Sequence, residues 1–198
     1  MLFRSTVAPP GADVVFLSDN LDPRLDRSTG LFDERHRFVL SGVWELHYAD
    51  RLRKTARAIL SGWEISGIFT VDSGLPYSGL VNSDLNNDGN AATDRTPGLS
   101  RNTFRLPATV SFDPRVTRQV ALSERVRLRV SWDAFNVFNR VNISGVRTTQ
   151  FARSNQASTC LIAGTPCLVP QEAGTTAFGS PASALDPRLM QFSAKLAF

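Results

Sequence analysis

The chain has 198 residues, which is enough for one ordinary domain. Its formal net charge is +4, and all but Lys54 and Lys195 of its 22 basic residues are arginines. Because these arginines are dispersed and alternate with apolar residues, the composition argues against nucleic-acid binding. No run of 18 apolar residues is present, so the sequence predicts no transmembrane helix. Strands of a membrane barrel need no such run, because their apolar residues alternate with polar ones.

Residues 1–35 are rich in Pro, Gly, Asp, Asn and Ser, and we predict a loop there with a partial strand at residues 14–17. Downstream, apolar and polar residues alternate with period two, which is typical of strands that bury one face. The alternation predicts one antiparallel meander of five strands, with a bulge at Pro114 because proline lacks an N–H. The strands are predicted at residues 36–48, 58–72, 108–122, 125–139 and 187–198. Their shared phase predicts one face that carries Trp44, Trp63, Trp132 and Phe192.

The last strand alternates most clearly and ends on an aromatic residue. One of its sides is wholly apolar, and the other is mostly polar. The apolar side comprises Met190, Phe192, Ala194, Leu196 and Phe198.

This strand resembles the C-terminal strand of bacterial outer-membrane β-barrels, which the barrel-assembly machinery reads as its signal. Residues 32–39, 62–69, 73–77 and 134–139 resemble the distal barrel of TonB-dependent transporters of the Oar-like type. The resemblance implies an all-β fold in which residues 36–198 are the C-terminal part of an antiparallel transmembrane β-barrel. It also implies a location in the cell outer membrane, contact with outer-membrane lipid, and a TonB system reached through an N-terminal part.

Five strands cannot close a membrane barrel, and residues 1–10 lack a basic start followed by an apolar core. The resemblance therefore implies that the chain is the last quarter of a longer barrel protein. The predicted connectors agree with an outer-membrane barrel, where periplasmic turns are short and extracellular loops are long. If the C-terminus lies in the periplasm, the short connectors at 49–57 and 123–124 are periplasmic, and the long ones at 73–107 and 140–186 are extracellular.

A cluster of charged residues lies on the polar face of the fourth predicted strand. In a barrel this face lines the lumen, so we expect lumen-facing side chains that pair with acids or guide an anionic substrate. The cluster consists of Arg125, Arg127, Arg129 and Asp133. No G-x-S-x-G, H-E-x-x-H or phosphate-loop motif is present, and we expect no enzymatic activity.

The loop at residues 84–94 begins like a calcium-binding loop. Asp84, Asn86 and Asp88 supply oxygen atoms at the first, third and fifth positions, and Gly89 permits a sharp turn at the sixth. The twelfth position, where a bidentate acid is needed, is Arg95. The alternative is a polar surface loop whose Asp, Asn and Gly residues form turns. We expect no cofactor other than this weak calcium site.

Cys160 and Cys167 lie in the last predicted loop, and no histidine close to them in the sequence would complete a metal site. They are either free thiols or a disulfide; the resemblance, which implies a cell-surface location, favours the disulfide.

A second interpretation of the whole chain stays open. Short alternating strands with Gly- and Pro-rich loops also fit a soluble or secreted β-sandwich that acts as a binding module and depends on calcium.

Overall fold

The computed structural model describes residues 23–46, 53, 56, 61–87, 89, 91, 94–154, 167–171 and 177–198. The predicted partial strand at residues 14–17 lies outside these ranges. Within these ranges, a 3₁₀ turn at Pro23–Asp26 precedes twelve strands. The strands are β1 (Arg37–Glu45), β2 (Trp63–Asp72), β3 (Pro76–Tyr77), β4 (Leu80–Asn82), β5 (Phe104–Arg105), β6 (Thr109–Ala121), β7 (Arg127–Phe135), β8 (Ile143–Val146), β9 (Thr149–Arg153), β10 (Leu168–Pro170), β11 (Pro181–Ala184) and β12 (Leu189–Ala197).

The five long strands form one antiparallel sheet in the order β1-β2-β6-β7-β12. Each long strand therefore pairs with the next long strand along the chain, and the predicted meander of five strands is confirmed. The observed strands are shorter than the predicted ones. The fourth ends at Phe135 instead of residue 139, because Asn136 adopts a left-handed backbone with φ of 48°.

The register of the sheet separates an apolar face from a polar face. Cross-strand partners lie on the same side of a sheet, and so do residues two apart in one strand. One row of partners across all five strands is Trp44, Ile65, Val116, Trp132 and Phe192. Trp63 lies two residues before Ile65, so the prediction that the three tryptophans and Phe192 share one face is confirmed.

Pro114 does not produce the predicted bulge. The pairing between β2 and β6 continues from Trp63 to Asp72 without a shift, and Pro114 lies opposite Gly67. Phe112 accepts a hydrogen bond from Val137 on the β7 side, at 3.0 Å. Residues two apart in a strand direct their backbone groups to the same side, so the nitrogen of Pro114, which carries no hydrogen, also faces β7. The β6–β7 pairing begins one residue later, at Arg115, and the pairing with β2 continues through Pro114 without interruption.

The chain divides into two compact units. One holds residues 35–73, 107–143 and 184–198, including the five-stranded sheet; the other holds the described residues of 23–34, 74–106 and 144–183. The predicted long loops therefore contain short strands, which corrects the prediction of loop throughout. These strands form three small sheets, β10-β9-β4, β11-β8 and β3-β5. Strands of two to five residues are too short to show a clear alternation.

The second unit has a small core of its own. Val81 and Leu168 are 1% and 2% exposed. Tyr77 and Phe104 stack with their ring centroids 5.6 Å apart, and Phe178 contacts both rings. Burial raises the pKa of the Tyr77 hydroxyl above its ordinary value. These contacts show that the segments between the long strands fold into defined structure.

Candidate functional site

The polar face of the five-stranded sheet holds a buried carboxylate with an arginine partner. Asp133 on β7 is 7% exposed and lies directly opposite Arg115 on β6. The Nε–H of Arg115 donates a hydrogen bond to Oδ1 of Asp133. Charge-assisted hydrogen bonds of this kind are among the strongest that side chains make. The pair was not predicted from the sequence, because the predicted two-residue turn at 123–124 placed the register between the third and fourth strands one residue away from the observed one.

Three cations of the paired strands lie near one end of the same face, and a fourth, Arg125, precedes them in the chain. Arg127 and Arg129 are on β7, on the same side as Asp133, and Arg129 lies directly opposite Lys195 on β12. Arg125 precedes β7 and is exposed. Like charges placed directly opposite destabilise a sheet, so this end of the polar face attracts anions. That the face lines a lumen stays a prediction.

A rigid corner follows β7, in the segment that carries part of the family resemblance. Asn136 is 7% exposed and donates from Nδ2 to the carbonyls of Arg140 and Asp186, at 2.9 and 3.3 Å. Its Oδ1 accepts from the Arg140 N–H at 3.1 Å. Asn139, with φ of 51°, accepts from the Arg188 N–H at 3.2 Å. The two asparagines therefore hold the end of β7 against the segment that leads into β12.

Aromatic residues mark both ends of the apolar face. At the end near the corner, four phenylalanine rings contact one another in series, with centroids 5.8 to 6.4 Å apart. They are Phe38, Phe69, Phe112 and Phe138. At the other end, the guanidinium of Arg118 lies 5.1 Å from the ring centroid of Trp63, its direct cross-strand partner. Cation–π contacts of this kind suit an interface where one side is apolar and the other is wet.

The last strand forms an edge of the sheet. β12 pairs with β7 from Leu189 to Ala197 and presents its apolar side on the same face as the tryptophans. Phe192 is 76% exposed and Phe198 is fully exposed. The structure therefore leaves the predicted assembly signal accessible; that the assembly machinery reads it stays a prediction.

In the loop at residues 84–94, carboxylates cap backbone N–H groups. Oδ2 of Asp84 accepts from the Gly89 N–H at 2.9 Å, and Oδ2 of Asp94 accepts from the Leu85 N–H. Asp88 lies outside the described residues. Among the residues that are described, no group of three or more His, Cys, Asp or Glu side chains is placed to hold a metal ion. The described contacts are those of a turn, and calcium binding stays a prediction.

Cys167 precedes β10 and is disulfide-bonded. Cys160 lies outside the described residues, so the predicted pairing of the two is not described.

His36 and Ser73 are joined by two hydrogen bonds. The His36 N–H donates to the Ser73 Oγ at 3.0 Å, and the Ser73 N–H donates to the His36 carbonyl. Both residues line an open cleft of about 470 Å³ at the Phe38 end of the sheet.

An antiparallel meander with an aromatic-bounded apolar face and a charged opposite face is the architecture of strands that cross a bacterial outer membrane. Sequence comparison gives the same class. The chain belongs to the outer membrane beta barrel domain family, whose profile matches residues 5–99 and 97–191. It is therefore an outer-membrane protein, which argues against the soluble or secreted β-sandwich. No curated protein and no solved structure matches the chain significantly.

Within the described ranges, no helix has both the length and the apolarity that a membrane crossing requires.

Proposed function

We propose that the chain supplies the C-terminal strands of the barrel of a TonB-dependent outer-membrane transporter, which takes up an as yet unidentified substrate. The observation that carries the proposal is the five-stranded antiparallel sheet with one apolar face bounded by aromatic residues. The segments at residues 32–39, 62–69, 73–77 and 134–139 add the resemblance to Oar-like transporters. The role is transport and not catalysis of a chemical reaction.

The connections between strands support a particular orientation. The links from β2 to β6 and from β7 to β12 are long and leave the same end of the sheet, whereas β6 reaches β7 through a short turn at the other end. In outer-membrane barrels long loops are extracellular and short turns are periplasmic. This orientation puts Phe198 on the periplasmic side, where the barrel-assembly machinery would meet it, and turns the apolar face toward outer-membrane lipid.

The experiment compares nutrient depletion by three strains: the wild type, a strain that lacks the gene, and a strain that lacks TonB. Growth medium is profiled for solutes that only the wild type removes. An energised transporter predicts at least one solute that neither mutant depletes, with uptake restored when the gene is returned. A solute that disappears in the TonB-deficient strain but persists in the gene deletion would indicate a passive channel and overturn the proposal.

A conductance measurement provides the second test. A transporter barrel filled by a plug domain passes little steady current when the purified full-length protein is inserted into a planar bilayer. A large, constant conductance per inserted molecule would contradict the transporter assignment, since it is the behaviour of an open channel.

A further inference from the structure

The corner after β7 presents two arginines next to exposed apolar side chains. The main-chain groups of Arg140 are held by the side chain of Asn136, and the N–H of Arg188 is held by Asn139. One amide nitrogen of Asn136 bridges the carbonyls of Arg140 and Asp186, so the two segments meet. The backbone of both arginines is therefore fixed by asparagine side chains. Asn136 is buried, and both Asn136 and Asn139 have a left-handed backbone.

The side chains around the two arginines have the character of a membrane interface. Arg140 and Arg188 are both exposed. Beside Arg140, Phe138 is 65% and Val141 is 75% exposed, and Phe138 stacks on Phe112 at 5.8 Å. Exposed Phe and Val next to arginine are unfavourable in water and favourable where hydrocarbon meets charged headgroups.

The charges of the corner do not cancel. Asp186 is exposed and is the carboxylate nearest in sequence to Arg188, so this segment adds one carboxylate to the two exposed arginines. The only guanidinium contact described at the corner is a long one, from Arg140 to the Ala108 carbonyl at 3.5 Å. Asp113, which also reaches the corner, accepts hydrogen bonds from Asn136 and Ser111 on the polar face. On the apolar side of the sheet the surplus is therefore one positive charge, which a monovalent anion would balance. Arginine suits phosphate in particular, because its planar group donates two parallel hydrogen bonds to phosphate oxygens.

We infer that Arg140, Arg188 and Phe138 form a binding site for a phosphate-bearing lipid of the outer membrane. The guanidinium groups bind the headgroup phosphate while the acyl chain lies on the phenylalanine series of the apolar face. A lipid is favoured over free phosphate because the cations border a continuous apolar surface that a free ion leaves uncovered. The inference rests on the proposed orientation, in which the apolar face contacts lipid.

The test uses the full-length protein, purified and folded in a neutral detergent, with lipid retention read by native mass spectrometry. The probes are phosphatidylglycerol and diacylglycerol with the same acyl chains, so that only the phosphate headgroup differs. The double change R140Q/R188Q is expected to weaken phosphatidylglycerol binding about fivefold per arginine and leave diacylglycerol binding unchanged. D186N, which removes the nearby carboxylate, is expected to strengthen phosphatidylglycerol binding.

The matched control is R125Q/R127Q, which also removes two positive charges. Arg127 and Phe135 are the two ends of β7, and the eight steps between them place the control about 26 Å from the corner. That exceeds the Debye length of about 8 Å in physiological salt, so phosphatidylglycerol affinity should stay close to that of the wild type. Heat-modifiable gel mobility verifies that every variant is folded.

The inference is overturned if folded R140Q/R188Q keeps its preference for phosphatidylglycerol, or if the control pair loses as much affinity. Displacement of the lipid by inorganic phosphate at equal concentration would identify a free-anion site and also overturn it. Loss of the headgroup preference in a protein that still inserts into membranes leaves the transporter proposal intact. Failure of the wild type to insert into membranes would overturn both.

Discussion

Replacement of Asn136 by alanine should be the most damaging single change in the corner after β7. The side chain makes three hydrogen bonds to main-chain groups of Arg140 and Asp186, and the residue is 7% exposed. Each such bond contributes about 1 kcal/mol net. Because Arg140 and Asp186 are exposed and water replaces part of what is lost, we expect about 2 kcal/mol from the three together.

The backbone of Asn136 adds a second cost. Its φ of 48° lies in the left-handed region, which asparagine tolerates better than alanine does. This effect contributes about 1 kcal/mol, so Asn136→Ala should lower the free energy of unfolding by about 3 kcal/mol. Asn136→Gly removes the same hydrogen bonds but adopts a positive φ without strain, so it should lower the free energy by about 2 kcal/mol.

The measurement is urea-induced unfolding of the full-length protein in lipid vesicles, followed by tryptophan fluorescence. Asn87 supplies the control, since it has a φ of 59° but lies exposed in a loop. Asn87→Ala should therefore lose only the backbone contribution of about 1 kcal/mol. Two results would contradict this prediction: an Asn136→Ala variant no more destabilised than Asn87→Ala, or glycine and alanine variants at Asn136 that are equally unstable.

Three further predictions follow from individual positions. Gly62→Ala should destabilise the sheet by more than about 2 kcal/mol, because an added Cβ would clash with the Gln119 carbonyl oxygen. Gly42→Ala, with open space around it, is the control in the same unfolding measurement. The loop at residues 84–94 should bind Ca²⁺ weakly at best, and submicromolar affinity in calorimetry would contradict this. Phe198→Asp should greatly reduce folded barrel in outer-membrane fractions, although a charge near the interface costs only about 0–1 kcal/mol; equal amounts of heat-modifiable protein would refute an assembly signal.

The faces of the five long strands were predictable from the sequence, whereas the registers between the strands were only partly so. Period-two alternation sets which residues share a face, and it placed the three tryptophans and Phe192 correctly. The predicted two-residue turn at Ser123 and Glu124 was wrong by one residue. The observed turn is longer: the Leu122 N–H bonds the Val126 carbonyl at 2.9 Å, and Arg127 pairs with Ala121.

The alternation of apolar and polar residues is inconsistent with a two-residue turn at this position. A two-residue turn at Ser123 and Glu124 would pair Arg115 with Trp132, which lie on opposite faces by the alternation. The register one residue later pairs Arg115 with Asp133, which share the polar face. A slip of one residue moves every side chain to the other face, so the turn length was determined by the strands and not by the local turn residues.

The role of Asn136 could not be obtained in the same way. The segment 134–139 continues the apolar alternation through Phe138, so the pattern favoured a strand to residue 139. The strand ends at Phe135 because Asn136 satisfies main-chain groups of two segments, one of them fifty residues away. Such a contact depends on tertiary structure, and local propensity carries no signal for it.

The direction of the edge strands limits how the sheet can become a closed barrel. Among the described residues the sheet ends at β1 and β12, and four antiparallel junctions separate them, so these two strands run in the same direction. Copies of this sheet joined edge to edge in one membrane orientation would therefore meet in parallel pairs. An all-antiparallel barrel with an even number of strands needs an odd number beyond these five. Because each unpaired backbone group in hydrocarbon costs several kcal/mol, the partners of β1 and β12 are essential to the stability of the barrel.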